Sequence, residues 1–360
     1  MPPARKPFFP PRPSHFVGRT AELRAIRARL DSGIDRLALV GGGGTGTSLL
    51  ACALGHQIRS RYPGGAHWFR VGAWGSTTLF EMLGRRLGLR GEDRRTALVE
   101  HLQTRGRTLV VLDNHESDRA LARFLEALRA CPVTWLVTAR RCLLSGVEIY
   151  PVVPPLISTG RSAFSRVAPL TKLLRWNPLA LDIADRLVAT GEATVAGLRD
   201  WLRAGGVEKI GVMANEDDVV EVRLLIDYVW PRLPASARNM LAALAHNEGD
   251  DTGSDCLVRL ARAGRQGEPS LDRLRRLHLV QEPLADRFTL HAVVRQAVAA
   301  RTEFPAERYF QHYVQLLERD PGRVDLEQTH LFAAMDHAHK TSDLQAALRL
   351  ERLLARLDQT

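Results

Sequence analysis

The chain has 360 residues, of which 45% are hydrophobic and 25% charged, and its formal net charge is +10. This composition excludes disorder as the overall state, because the apolar content is ordinary and the net charge is modest for the length. The length predicts two or three domains. No uncharged apolar run reaches the roughly 18 residues of a membrane span, and the basic, proline-broken start lacks the apolar segment of a secretory signal. We therefore expect a cytoplasmic protein that does not bind membranes.

The basic residues are almost all arginine. Among 50 lysines and arginines the lysines are Lys6, Lys172, Lys209 and Lys340, and the arginines are spread along the whole chain. A basic surplus is compatible with a nucleic-acid partner, but scattered arginine is also typical of coding bias in a GC-rich genome. The four cysteines form no C-x-x-C pair and no zinc-spaced cluster, so we expect isolated reduced thiols.

The first part of the chain predicts an extended arm followed by an α/β domain. Residues 1–15 contain six prolines, which favour an extended arm. After the arm, the spacing of Leu23, Ile26 and Leu30 predicts a helix. Short apolar runs then alternate with helical patterns, and we predict strands at 37–40, 66–71, 109–112, 133–137 and 147–152. This alternation is typical of a doubly wound parallel sheet, which we place in residues 16–156.

The remainder of the chain reads as helical. Residues 157–210 predict a small helical bundle, with periodic apolar positions at 179–188 and 195–202. Residues 211–302 predict a winged-helix domain, because a hairpin pairing 279–281 with 287–290 follows several helices. Those helices are predicted near 219–230, 235–245, 254–263, 270–277 and 291–300. Residues 303–360 predict the start of a TPR-like solenoid, with 331–354 as one antiparallel helix pair.

A glycine-rich turn joins the first predicted strand to the next helix. Gly41, Gly46 and Ser48 stand at the G-x-x-x-x-G-K-[ST] positions of a P-loop, whose backbone amides surround a phosphate at a helix N-terminus. The lysine position, however, is Thr47. Losing one charge-assisted hydrogen bond of about 1.5–3 kcal/mol predicts affinity lower by about one to two orders of magnitude, with weak or no hydrolysis. The alternative is a glycine-rich turn that holds no nucleotide.

Two later strands end in polar residues that suit the same site. Asp113 follows an apolar strand, where a carboxylate would orient magnesium, with Ser48 as the second protein ligand; a helix N-cap or turn is the alternative role. Arg140 follows the next apolar strand, where its guanidinium would report a γ-phosphate; the alternative is a solvated arginine.

The order of these motifs resembles the NB-ARC class of STAND nucleotide switches, in its bacterial form. The resemblance covers residues 16–357. The segments that carry it are 16–19 (FVGR), 41–48 (GGGGTGTS), 111–114 (VLDN), 137–140 (VTAR), 177–181 (NPLAL), 288–295 (FTLHAVVR) and 331–338 (LFAAMDHA). The first of these lies before the modified P-loop, and the last resembles the helix that opens the superhelical repeats of the bacterial members.

The resemblance implies roles for individual residues. Val17, Gly18 and Arg19 would lie near the adenine and ribose, Pro178 would pack on the base, and His291 would contact the β-phosphate of ADP while holding the winged helix against the nucleotide domain. The alternative for His291 is an ordinary histidine at a helix N-terminus. The nucleotide-binding residues expected in this way are Val17, Gly18, Arg19, Gly41, Gly44, Thr45, Gly46, Thr47, Ser48, Leu49, Arg140, Pro178 and His291, with Ser48 and Asp113 for Mg²⁺.

Three departures from the family pattern limit this transfer. Thr47 replaces the lysine, and Ala292 replaces the aspartate that follows the histidine. Asn177 replaces the leucine before the proline, and Trp176 stands in the place of glycine. Thr47 is the departure that bears on chemistry, because it removes the cation that offsets phosphate charge.

From these features we predict a regulatory switch or scaffold that binds ADP or ATP with Mg²⁺ at most. In a second version no nucleotide binds, and domain packing alone holds a closed state. Activation would open the winged helix and allow self-association or partner binding. The chain shows no effector domain, so we expect a separately encoded effector or partner; a truncated family member is the alternative.

Two other functions compete with this prediction. A DNA-binding regulator would read the major groove through the segment 271–278, where Arg273 and Arg276 share a face but Asp272 interrupts the patch. A weakly active ATPase would retain some hydrolysis in spite of Thr47.

Overall fold

A computed structural model of the chain describes residues 9–12, 19–72, 74–89, 93–153, 164–205, 219–247 and 251–357. Within these ranges, five strands form one parallel sheet in the order β2-β3-β4-β1-β5. The strands are β1 Arg36–Val40, β2 Ala66–Arg70, β3 Thr108–His115, β4 Val133–Ala139 and β5 Glu148–Pro151. All five predicted strands are confirmed, because short apolar runs need cover on both faces and a parallel sheet provides it.

Helices cover both faces of this sheet, as the doubly wound prediction requires. In β1, Leu37 and Leu39 pack with two helices, 20–31 and 47–58, while Ala38 belongs to the apolar cluster of the opposite face. Alternate strand residues point to opposite sides, so one strand feeds two cores. The helices of this region are α1 Thr20–Asp31, α2 Thr47–Ile58, α3 Ser76–Arg86, α4 Arg94–Thr104 and α5 Asp118–Ala127.

Strand β3 runs further than the sequence predicts. The apolar run stops at Leu112, yet the strand continues to His115 through Asn114, whose φ of 60° is left-handed. The pairing of β3 with β4 shifts register between Leu112 and His115. The hydroxyl of Thr138 accepts the Asn114 amide at 2.9 Å, so a side chain replaces the missing backbone partner and carries the strand past the irregularity.

The second half of the described chain is mainly helical and shares one apolar core, which extends from Val167 to Tyr313. The helices that build it, each within one or two turns of its predicted position, are α6 Pro178–Ala189, α7 Val195–Ala204, α8 Val220–Val229, α9 Ala235–Ala245, α10 Ser254–Leu260, α11 Gly267–Arg276 and α12 Ala292–Ala299. Segments 157–210 and 211–302 therefore bury their apolar faces against each other in the described part of the chain.

A small antiparallel sheet interrupts these helices. It contains β6 Thr252–Gly253, β7 Gln281–Leu284 and β8 Arg287–Thr289, in the order β6-β8-β7. The predicted hairpin is present, but its first strand begins at Gln281 and not at Leu279. The reason is the end of α11, where His278 has a φ of 53° and the Leu279 amide bonds to the Leu274 carbonyl at 3.1 Å. Leu279 therefore belongs to the motif that ends the helix, and the strand starts after it.

The last segment folds back onto the sheet domain. It contains α13 Ala306–Arg319, α14 Val324–Lys340 and α15 Leu344–Leu357, so the predicted helix pair is present but its first helix begins at Val324, before the predicted Leu331. Leu331 and Phe332 of α14 share an apolar cluster with residues of α3. The Thr78 hydroxyl of α3 donates to Asp336 of α14 at 3.4 Å. Nothing in the sequence predicted this contact.

A buried ionic network ties the small sheet to α14. Arg287 of β8 donates to both carboxylate oxygens of Glu327 at 2.8 Å and bonds to Asp251. His330, fully buried, lies 3.3 Å from Glu327 and stacks on Tyr313 at 3.7 Å. Burial opposes the charge of Glu327, yet the hydrogen bonds from Arg287 and His330 hold the pKa of Glu327 below its ordinary range. Glu327 is therefore ionised and paired with Arg287 at neutral pH.

None of the helices in the described ranges combines the length and the apolar character needed to cross a membrane.

Candidate phosphate-binding site

The glycine-rich turn has the backbone shape that anion binding requires. It leaves β1 after Val40 and enters α2 at Thr47, and Gly44 and Gly46 have φ values of 79° and 90°. Glycine adopts such left-handed angles without steric cost. Gly46 precedes α2 and offers no side chain to cap it, so the first amides of the helix have no side-chain acceptor. This helix start can accept an anion.

Arg19, one of the residues expected near the nucleotide, contacts the glycine-rich turn. Its guanidinium is buried, donates to the Thr45 carbonyl and to the Val153 carbonyl at 3.2 Å, and pairs with Glu22 at 3.0 Å. Burial lowers the pKa of Arg19, which remains a cation at neutral pH. Val17 and Gly18, also expected at the site, lie outside the described residues.

Asn177 contacts the turn from the helical segment, a role that the sequence analysis missed. Its amide nitrogen donates to the Gly43 carbonyl at 3.0 Å, and its oxygen accepts the Leu179 and Ala180 amides at 3.0 and 3.1 Å. The second set caps α6, whose first residue is Pro178. An asparagine before a proline at a helix start was the available signal.

The residue before Asn177 has an uncommon backbone conformation. Trp176 has a φ of 58°, in the left-handed region that glycine adopts most easily. Space at Gly44 is restricted, because a Cβ there would lie 2.7 Å from the Asn177 side-chain oxygen.

His291 is the N-cap of α12, the helix that contacts the turn through Val293. Its Nδ1 accepts the Val293 amide at 3.3 Å, so the alternative of a helix N-terminal histidine describes its local geometry. Val293 also packs on the turn, because a Cβ on Gly43 would lie under 3.0 Å from its methyl group. Burial, and then the charges of Arg70 and Arg140, lower the pKa of His291 to about 4. The ring is therefore neutral near pH 7, and with Nδ1 accepting it presents an Nε2–H donor.

Two arginines reach from the sheet to the segment that contains His291. Arg140, after β4, donates to the Gln296 side chain at 2.8 Å in an exposed hydrogen bond. Arg70, the last residue of β2, donates to the Thr289 hydroxyl at 2.9 Å. The sequence analysis missed Arg70, although a cation at the carboxyl end of a parallel strand was a usable signal.

Asp113 lies within β3 and not at a helix start, so the helix N-cap alternative is wrong; α5 begins at Asp118. Its carboxylate accepts the Thr138 hydroxyl at 2.5 Å. Burial, and then the charge of Asp113, raise the pKa of Cys52 on α2 to about 11. Ser48 lies one turn before Cys52 on the same helical face.

Ser48 and Asp113 suit a magnesium ion whose other ligands come from a bound phosphate and from water. Among the described residues no three His, Cys, Asp or Glu side chains form a metal cluster of their own. A serine hydroxyl and one carboxylate are sufficient where phosphate and water supply the remaining oxygens. Ser48 is exposed, and Leu49 is 52% exposed, so the start of α2 is open to such a ligand.

Comparison with known proteins identifies the fold of this chain. No family model and no curated protein matches the chain. A solved structure of a Signal Transduction ATPase with Numerous Domains (STAND) protein with a tetratricopeptide repeat sensor, from Pyrococcus horikoshii, matches 97% of this chain at 17% identity, with a TM-score of 0.55. The chain has a P-loop NTPase-like fold. It spans 54% of that structure's length.

A second solved structure, a Walker-type ATPase of Pyrococcus abyssi, matches 80% of the chain and 98% of its own length at 14% identity, with a TM-score of 0.38.

The P-loop of this chain differs from the standard motif at Thr47, whose methyl group lies 3.2 Å from the place where Gly41 would carry a Cβ. Threonine offers one hydroxyl and no charge there.

The arginines of α11, which the DNA-binding alternative requires, are partly engaged within the chain. Arg273 pairs with Glu192 at 2.7 Å, and Arg275 pairs with Asp272 and with Glu282, each at 3.2 Å. Arg276 is exposed. This helix therefore presents fewer uncompensated charges than its sequence suggests.

Proposed function

We propose that the chain is a STAND/NB-ARC-type regulatory switch or scaffold, in which the P-loop binds ADP or ATP at most and hydrolyses it weakly or not at all. The observation that carries this proposal is that three distant parts of the chain meet on one turn. Arg19, Asn177 and Val293 all contact Gly43–Thr45 or the space beside it. A nucleotide bound at the turn would therefore affect all three parts of the chain at once.

Arg70 and Arg140 connect a bound nucleotide to the closed state, in which the segment around His291 lies against the sheet domain. In the structure each donates to the segment around His291. The N–H that Arg140 gives to Gln296 cannot serve a γ-phosphate simultaneously, so a triphosphate competes with the closed contacts, whereas a diphosphate leaves them intact. Two hydrogen bonds of about 0.5–1.5 kcal/mol each correspond to a bias of about 5- to 150-fold between the two states.

Thr47 limits the chemistry available to this switch. Bound Mg²⁺ would offset phosphate charge, held by the Ser48 hydroxyl and the Asp113 carboxylate. The loop amides and the α2 N-terminus would bind phosphate oxygens, and the neutral His291 would donate one hydrogen bond. None of these groups replaces the lysine that neutralises the charge developing during transfer.

The remaining parts of the proposal follow from this mechanism. The segment 211–302 would act as a winged-helix domain that opens, and 303–360 as the first helices of a TPR-like array. The output would come from self-association or from a separately encoded effector in the cytoplasm.

The test compares nucleotide binding by the natural chain and by Thr47→Lys. We expect the natural chain to bind Mg²⁺-ADP weakly, Thr47→Lys to bind it about 10- to 100-fold more tightly, and phosphate release from ATP by the natural chain to stay near background. Calorimetry measures the affinities, and a phosphate-release assay measures turnover.

Thr47→Met is the matched control, because methionine has about the length of lysine without its charge, and we expect it to leave the affinity within a few-fold. Phosphate release well above background, or equal affinities for Thr47→Lys and Thr47→Met, would contradict the proposal. Stoichiometric ADP in acid extracts of the natural chain would show that backbone donors alone suffice, and would eliminate the version without nucleotide.

A further inference from the structure

A short piece of the N-terminal arm is docked on the sheet domain. Phe9 is buried, with 8% of its surface exposed, in a slot between α2 and β2. Its ring meets His56 and Trp68 edge to face, at centroid distances of 5.4 Å each. A Cβ on Gly55 would lie under 3.0 Å from two atoms of the ring. The slot therefore exists because residue 55 has no side chain.

The backbone after Phe9 is also recognised. The His56 Nε2 lies 2.8 Å from the Pro10 carbonyl, and the Cys52 thiol donates to the Pro11 carbonyl at 3.5 Å. Both donors lie on the same face of α2 as Gly55. Proline has no amide to satisfy and a fixed φ, so an extended proline pair binds with little loss of conformational entropy. The slot therefore binds one aromatic ring and donates hydrogen bonds to two consecutive proline carbonyls.

Among the described arm residues 9–12, Phe9 is the buried side chain. The residues that contact this segment include Cys52, Gly55, His56 and Trp68. Pro11 and Arg12 beyond Phe9 are exposed. Within residues 9–12, Phe9 is therefore the one buried anchor, and a single aromatic anchor can leave its slot and be replaced.

We propose that this slot is a binding site for an extended aromatic–Pro–Pro peptide, that the chain's own Phe9–Pro11 is its resident ligand, and that the same segment of a second copy of this chain can occupy it. The tethered arm acts at an effective concentration of about a millimolar, so it excludes the second copy at ordinary protein concentrations. Release of the arm therefore converts the slot into a self-association site. The proposal does not depend on nucleotide binding.

The first experiment measures the site directly, using full-length chains and a fluorescent peptide of residues 7–12. Phe9→Ala leaves the slot free, so we expect it to bind the peptide saturably and at least about 10-fold more tightly than the natural chain, whose own arm competes. Adding Gly55→Ala to Phe9→Ala should abolish saturable binding. Gly84→Ala on α3 is the matched control, since a Cβ there makes ordinary contact with Arg94 at 3.4 Å.

The second experiment mixes two full-length variants with complementary defects. Phe9→Ala has a free slot and no ligand, whereas Gly55→Ala has a ligand and no slot, and we expect each alone to sediment as a monomer. The mixture should form a one-to-one heterodimer, which the peptide of residues 7–12 dissociates. Absence of peptide binding to Phe9→Ala would overturn the site, and peptide binding without a heterodimer would overturn the second copy as its partner. Circular dichroism of each variant verifies that it is folded.

Discussion

His291 shows how the fold controls the charge of a single residue. Its pKa falls from an ordinary 6.5 to about 4, because the ring is buried and faces Arg70 and Arg140. Between these values the unfolded chain binds a proton that the folded chain does not. The contribution of neutral His291 to the free energy of unfolding is therefore fully present above about pH 6.5. It is lost as the pH falls towards 4. The same neutral ring caps α12 through Nδ1.

We predict that His291→Asn reduces this acid sensitivity. Asparagine accepts the Val293 amide as a helix cap but does not titrate. Between pH 6.5 and pH 4 the natural chain should lose on the order of 1–3 kcal/mol more unfolding free energy than the variant. Urea denaturation across this pH range measures the difference. His312, whose pKa is also lowered to about 4, titrates in both chains and cancels in the comparison. Parallel pH curves would contradict the assignment.

At the scale of elements, the fit of α12 against the P-loop depends on a glycine. Gly43 has no positive φ, so its backbone would accept alanine. The main obstacle is Val293, whose methyl group fills the space that a Cβ would occupy, and a Val219 methyl group lies 3.0 Å from the same point. Gly42, its neighbour, has only a methyl group of Thr45 at 3.8 Å. Two adjacent glycines in one turn thus differ in what surrounds them.

We predict that Gly43→Ala destabilises the chain by about 1–3 kcal/mol through overpacking, whereas Gly42→Ala changes stability far less. Val293→Ala should relieve the clash, so the double variant Gly43→Ala/Val293→Ala should lose less than the sum of the two single variants. Chemical denaturation of the four chains provides the cycle. Additive losses would mean that α12 does not pack on Gly43.

At the scale of the whole molecule, the chain closes on itself. The P-loop touches α6 and α12, the network of Arg287 and Glu327 ties β8 to α14, and α14 packs on α3 of the sheet domain. Opening the segment around His291 would therefore pull on α14 as well. The tail is thus mechanically linked to the switch that we propose.

We predict that Arg287→Met lowers the unfolding free energy by about 3 kcal/mol, because it removes the guanidinium that bonds two buried carboxylates, Asp251 and Glu327, and leaves Glu327 with Arg323 at 2.9 Å as its remaining arginine partner. Arg349→Met is the control: its pair with Glu318 is exposed, and we expect a loss below about 1 kcal/mol. Thermal and urea unfolding measure both variants. Similar losses for the two would show that the buried network contributes no more than a surface pair.

Local patterns fixed the element types, because periodicity and turn chemistry act over a few residues. The strand alternation, the glycine-rich turn and the helix positions to within one or two turns could be predicted for that reason, and so could a helix start at His291. The errors occurred at element ends, where side chains decide: Thr138 prolongs β3, and the helix-ending motif at His278 delays β7.

What the sequence by itself determined is thus the order of elements and the residues of the P-loop, including the absence of its lysine at Thr47. Only the tertiary structure decided what touches that loop. Asn177 lies 134 positions from Gly43, and Arg70 lies 219 positions from Thr289. No local pattern encodes such pairs, because they form only when separate apolar cores pack and bring their polar edges together.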